Sequence, residues 1–222
     1  MSSIVVSGDT SGAITLQAPA VSGTNTLTLP ASTDTLVGKA TTDTLTNKTL
    51  TSPTITGAVI SAMASSILIS GTAVASTSGT SIDFTGIPSW AKRITVMFNG
   101  VSTNGTSKLI VRIGTGGTPT TSGYIGQSSI VYSAVATTAE TSGFPIYHDT
   151  VAFTITGSIV IQNISGNIWV MNGCGSSAGG TAFIWISGGN ISLAGVLNVV
   201  RITTVNGTDT FDAGSINIMY EG

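Results

Sequence analysis

His148 is the chain's one histidine, and it stands directly before Asp149 in the segment FPIYHDT. An imidazole beside a carboxylate is the nucleus of an acid–base pair. Neighbouring residues of an extended chain point to opposite sides, however, so these two cannot address one substrate from a strand. His148 therefore reads as a surface-loop residue. Among the later acids Glu140, Asp149, Asp209, Asp212 and Glu221, only Asp209 and Asp212 are close in sequence. Glycoside cleavage needs two carboxyl groups held about 5 to 9 Å apart. These two lie in GTDTFDAG, whose composition is that of an Asx-type turn. No catalytic residue is assigned, and the chain reads as non-enzymatic.

Metal and cofactor chemistry find no better footing. One His, one Cys and no clustered acids make no ligand set. The glycine-rich runs near Gly114 and Gly173 do not lead into a helix with Lys-Ser/Thr, so they are not phosphate loops. Cys174 is alone, which excludes an internal disulfide and leaves a small buried or idle thiol. The residues left for recognition are Tyr124, Tyr132, Tyr147 and His148, all in or near turn-rich segments. A tyrosine can lay its ring face on a sugar and hydrogen-bond through its tip. Trp169 and Trp185 sit inside strand patterns and read as core.

Those side chains need a scaffold, and the sequence describes one. Charged residues are 7% of the chain, far below the roughly 25% of an average soluble domain. Hydrophobic residues are 41%, which removes the disordered class. Thr, Val and Ile suit a pleated surface, while Gly, Asn and Ser supply turns. From about Ile82 the segments ITVMF, KLIVRI, SIVIQNISGNIWVM, TAFIWIS, VLNVVRITTV and SINIMYE alternate at period two, with turn clusters between them. SIVIQNISGNIWVM reads as a hairpin around Ser165-Gly166-Asn167. About eight strands are expected over 82–222, arranged as an antiparallel β-sandwich, jelly-roll-like. The stretch 58–81 reads as a connecting segment, whose apolar part, 58–70, fits helix or strand and is too short to span a membrane.

Residues 1–57 form a different zone. Every Phe, Trp and Tyr lies at Phe84 or later, so this front part lacks the side chains that build a core and must lie on something else. SGAITLQAPA and NTLTLPAS read as short strands that end at Pro19 and Pro30. Between 33 and 48 the pattern TDTLxxK occurs twice, nine residues apart, placing Asp34, Lys39, Asp43 and Lys48 at matching positions. An odd period puts the two copies on opposite faces of one strand, and about two and a half turns apart on one helix. Each copy is thus its own short unit. The four charges read as register or docking markers, since charge at repeated positions specifies alignment more than it stabilises.

Net charge is −2 with a pI near 5.0, and no basic stripe exists for nucleic acid or anionic lipid. No secretory signal pattern is visible at the N-terminus. Surfaces this poor in charge suit proteins buried in subunit contacts.

The phrases SGDTSGAITLQAPAVSGTNTLTLPAS and TDTLTNKTLTSPTITG resemble the N-terminal and linker segments of tailed-bacteriophage fibre and appendage proteins. DFTGIPSWAKRITVMFNGVSTNGTSKLIVRIG and the ending FDAGSINIMYEG resemble a β-rich tip domain of the same proteins. The resemblance implies a homotrimer on the virion, made in the host cytoplasm. Its N-terminal segment would dock to other virion proteins and its C-terminal knob would meet a host cell-surface glycan or protein. The reading is a short tail fibre with no cofactor, no nucleic-acid partner and no membrane insertion. A capsid decoration or head-fibre protein is the alternative, followed by a small polysaccharide depolymerase and a secreted lectin or adhesin.

Overall fold

The computed structural model describes residues 3–7, 10–17, 24, 49, 51, 68–132, 135–151, 153–179 and 182–222. Asp34, Lys39, Asp43 and Lys48 lie outside the described residues, as does NTLTLPAS. The chain divides into two units, Met1–Val59 and Ile60–Gly222.

In the first unit, β1 (Ser3–Ser7) pairs antiparallel with β2 (Ala13–Gln17), with Val5 opposite Thr15. The strand read in SGAITLQAPA is β2. Val5 and Val6 remain exposed.

The second unit is all-β among its described residues. Its strands are β3 (Leu68–Ser70), β4 (Val74–Ala75), β5 (Ser81–Thr85), β6 (Arg93–Thr103), β7 (Leu109–Thr115), β8 (Thr118–Pro119), β9 (Ile125–Val131) and β10 (Val135–Glu140). There follow β11 (Phe144–Ile146), β12 (Thr154–Ser165), β13 (Ile168–Ala178), β14 (Phe183–Ser192), β15 (Leu197–Thr204) and β16 (Phe211–Glu221). Every pairing is antiparallel. The large sheet runs β10-β9-β14-β13-β12-β6-β16-β3, with β4 also on β16. The small sheet runs β11-β7-β15-β5, with β8 on β7.

Alternation explains why these segments pair as they do. Ile94, Val96 and Phe98 of β6 are buried while Thr95 and Met97 point the other way. Ile159 and Ile161 of β12, Trp169 and Met171 of β13, and Trp185 and Ile191 of β14 extend that inner face across the sheet. Leu109, Val111 and Ile113 of β7 with Val200 and Ile202 of β15 supply the small sheet's side of the same core, an arrangement consistent with a β-sandwich. Each fully buried Ile, Leu or Val contributes about 1.5–3 kcal/mol. Ile110, on the opposite face of β7, is buried too, because the backbone at Gly143 crosses it.

Turn chemistry sets the hairpins. Gly116 and Gly117 link β7 to β8 with φ of 61° and 78°, the pair of positive values that a two-residue type I′ turn requires. The β12–β13 hairpin turns between Ser165 and Ile168, where the sequence placed it.

Two points differ from expectation. The described residues from Ser81 onward hold twelve strands, not about eight. Those left uncounted are the hydroxyl-rich Val135–Glu140, the three-residue Phe144–Ile146 and similar pieces that carry little apolar alternation. The connecting stretch also enters the sheet: Leu68 pairs with Glu221 and Val74 with Ile216, so the large sheet begins before residue 82.

Candidate functional site

Three of the four recognition candidates are buried: Tyr124 and His148 are fully interior, and Tyr147, 8% exposed, shows only its hydroxyl end beside Asp149. Tyr124 is 1% exposed and packs edge-on against Phe144, with ring centroids 5.0 Å apart at 88°. Its hydroxyl donates to the Ile113 carbonyl at 2.9 Å and accepts from the Ile113 N–H at 2.8 Å. Burial pushes its pKa up to about 12. It pins β7 to the segment before β9 and cannot touch a receptor. The sequence signal missed here is that a buried tyrosine in a turn-rich stretch satisfies its hydroxyl with loop backbone.

His148 is also buried, not a surface-loop residue. Neither ring nitrogen has a hydrogen-bond partner. Burial lowers its pKa, with weaker opposing pulls from the Phe153 and Ser107 backbones and from Asp149 and Asp209. The ring is therefore neutral near pH 7. Phe144 to His148 is a continuous buried run that starts with β11, and the chain reaches the surface only at Asp149.

Tyr132 and Tyr147, by contrast, come together. The end of β9, the start of β10, the segment after β11 and the start of β14 converge on a cavity of about 230 Å³. Tyr132, Tyr147, Asp149, Thr150, Phe153 and Phe183 line it with Ile130 and Ala136. Tyr132 is 45% exposed, with a ring available for stacking. The Tyr147 hydroxyl donates to Asp149 Oδ2 at 2.8 Å, and the Thr150 hydroxyl donates to Asp149 Oδ1 at 3.3 Å. Burial first, and the Asp149 bond second, push the Tyr147 pKa up to about 12, so its hydroxyl remains a donor at physiological pH.

Tyr147 is held from behind. Its N–H donates to Ser128 Oγ at 3.1 Å, and Ser128 donates onward to the Ile186 carbonyl at 3.0 Å. Lys108 Nζ lies 5.6 Å from the Tyr147 ring centroid, a cation–π distance. Phe153 and Phe183 form an edge-on pair, centroids 4.8 Å apart, that closes the apolar side. The sequence pointed to the tyrosines but not to Thr150, the neighbour of Asp149, nor to Phe153 just before β12 and Phe183 at the start of β14, which the fold brings together.

The remaining acids are engaged elsewhere. Asp209 accepts from the Ser107 N–H at 2.9 Å and from Asn206 Nδ2 at 2.6 Å, closing the turn read in GTDTFDAG. Asp212 accepts from Ser102 Oγ. Among the described residues no group of three His, Cys, Asp or Glu side chains is placed to hold a metal ion. The cleft can thus offer aromatic faces, one carboxylate and two hydroxyls. That is equipment for binding a polyhydroxylated or amide-bearing group.

No family model, curated protein or solved structure matches this chain.

The volume, below the roughly 300–1,000 Å³ typical of small-molecule pockets, suits one sugar unit of a longer chain. Among the described residues no helix is long and apolar enough to cross a membrane.

Proposed function

We propose that the chain is a non-enzymatic structural protein of a tailed-phage virion, a short homotrimeric tail fibre. Its front segment docks to the particle, and its jelly-roll-like β unit recognises a host surface glycan. The single observation that carries the recognition half is the Tyr132–Tyr147–Asp149–Thr150 cleft at one end of the unit. A stacking ring beside a carboxylate fixed by two hydroxyls is the pairing that takes both the face and the hydroxyls of a sugar. The docking half is supported by the TDTLTNKTLTSPTITG phrase and by a front segment without aromatic residues.

Each cleft is small, so affinity per copy is weak, and three copies on one particle raise it through effective concentration. Catalysis finds no support: Asp149 is tied to Tyr147 and Thr150, while Asp209 and Asp212 each serve a local turn or strand.

The test is gold-labelled antibody against the chain, imaged on virions of the phage that encodes it. Label at the tail in a few clusters is the expected result. Label spread over the capsid in many copies would replace the fibre with a decoration protein. No label on purified particles would overturn the virion reading.

A further inference from the structure

The large sheet has two faces, and only the inner one is accounted for by the core. Register fixes what the outer one shows. Val135 of β10, Val131 of β9 and Ile184 of β14 are direct cross-strand neighbours and form a ridge. They are 70%, 48% and 58% exposed. Two residues further along the strands, Ile186 stands beside Cys174 of β13, with Ser158 of β12 and Met97 of β6 continuing the row.

Next to the ridge lies an open trough of about 530 Å³, lined on this face by Ile125, Gln127, Ser129, Ile186, Gly188 and Asn190. Gly188 forms its floor, because a Cβ there would meet nothing closer than 3.7 Å.

The outward positions from β10 to β12 carry no charge at all. Arg93 and Glu221 are bridged to each other at 2.8 Å near one edge of this face, and exposed Asp212 stands at the start of β16. Exposed sheet faces are ordinarily studded with Lys and Glu, which keep them soluble and single. Here that protection is missing over a large area. The five strands of this charge-free face, from β10 to β12, about 4.8 Å apart and with four residue rows about 6.8 Å apart, span about 650 Å², and Met97 of β6 carries the patch on toward the Arg93–Glu221 pair. Stable protein interfaces take about 800 Å² from each partner, with charge depleted at their centres.

The geometry points to this outer face as the surface through which copies of the chain associate, and the occupant is a second copy. The charge pattern selects that occupant. Two identical surfaces normally bring like charges together, but an uncharged face meets its own copy without repulsion. Gln, Asn and Ser side chains can pair with the same groups on a copy, and the ridge adjoins a trough of the kind it would fill. Around a three-fold axis the contact is heterologous, the ridge of one copy against the trough of the next, so the inference deepens the homotrimer proposed above and rests on it. The cleft opens on the other side of the same strand ends, lined by Ile130, Ala136 and Phe183, which alternate with the ridge residues Val131, Val135 and Ile184.

Cys174, the single cysteine, stands on this face and is exposed in the isolated chain, so it reports coverage without any mutation. The experiment is maleimide labelling of the native full-length protein alongside mass photometry. A trimer whose Cys174 reacts only after dissociation is the expected result. A trimer whose Cys174 reacts at the rate of a free thiol overturns the surface while leaving the trimer intact. A monomeric protein overturns both. A monomer with protected Cys174 shows the face covered by the chain's own front segment, and also overturns the inference.

Ile186→Asp gives a second arm. It lies outside the core, so the circular dichroism spectrum should be unchanged, while melting should fall only by the amount that lost association accounts for. The dissociation constant should rise at least about a hundredfold, because a charge is then buried without a partner. A folded Ile186→Asp protein that remains trimeric with wild-type affinity overturns the assignment.

Discussion

Tyr147 donates its hydroxyl to Asp149 Oδ2 at 2.8 Å across one intervening residue, and that residue, His148, faces the opposite way into the core. The three together set the cleft on a buried anchor. Removing the Tyr147 hydroxyl frees one carboxylate oxygen to water and loosens its position. Tyr147→Phe should weaken binding to purified host surface polysaccharide by about tenfold, the loss of a charge-assisted hydrogen bond of ~1.5 kcal/mol. Asp149→Ala should cost more, and Tyr132→Ala should remove the stacking face. Calorimetry at equal protein folding checks this; unchanged affinity in all three variants would place recognition elsewhere.

His148 makes stability depend on pH. Its folded pKa lies below the unfolded value of about 6.5, so the unfolded chain binds the proton more readily. The sign follows: the contribution is complete above about pH 6.5 and is lost as pH falls below it toward the folded value. Urea unfolding at pH 7.5 and pH 5.5 should show lower stability at the acid end. His148→Leu, which keeps an apolar group in the cavity, should shrink that difference. A pH dependence identical in the two proteins would remove His148 as its source.

Much of this fold was legible because it rests on local alternation. The β6, β12, β13, β14, β15 and β16 segments each carry apolar residues at period two, and each is a strand. What alternation cannot show is which strands become neighbours. Phe183 meets Phe153 only because β14 lies between β9 and β13, and nothing near either residue encodes that order. Tyr124 and His148 were misplaced for the same reason. Both lie in loops rich in turn residues, and both are covered by segments distant in the chain: Tyr124 by β7 and His148 beside the Ser107 and Phe153 backbones. Of the four, Tyr132 alone has the exposed ring that the turn-rich setting led one to expect, because no distant element covers it, whereas Tyr147 is buried.

The core has little tolerance where Trp185 crosses two glycines. Gly175 of β13 is the cross-strand neighbour of Trp185, and Gly157 of β12 is the neighbour of Gly175. A Cβ at Gly175 would run into the Thr156 carbonyl oxygen and stand 2.7 Å from the indole, and one at Gly157 would stand 2.5 Å from the Cys174 carbonyl oxygen and 3.0 Å from the indole. Gly157 also has φ of 143°, which side chains rarely adopt. Gly175→Ala should cost about 1–3 kcal/mol through overpacking. In a unit of this size that lowers Tm by roughly 2–4 °C per kcal/mol. Calorimetric melting decides it, and an unchanged Tm would mean that the β12 backbone at Thr156 and the indole both give way without cost.

Truncation should separate the front segment from the β unit, with a sharp limit. The apolar core begins at Ile82, but β3 and β4 already cover the edge of β16. Gly71 N–H donates to the Ile218 carbonyl at 2.7 Å, Ser76 N–H to the Gly214 carbonyl at 2.9 Å, and buried Ser76 Oγ to the Ala213 carbonyl at 2.7 Å. Deleting residues 1–57 leaves those bonds in place, so the β unit should fold with nearly the full-length Tm while losing attachment to the particle. Deleting residues 1–80 strips them. At about 0.5–1.5 kcal/mol per hydrogen bond the loss is several kcal/mol, and the bared edge of β16 becomes a template for aggregation. Melting curves and light scattering of the two truncations should therefore diverge. Equal behaviour would mean that β3 and β4 contribute nothing to the unit, and a 1–57 deletion that still assembles onto virions would move the docking function out of the front segment.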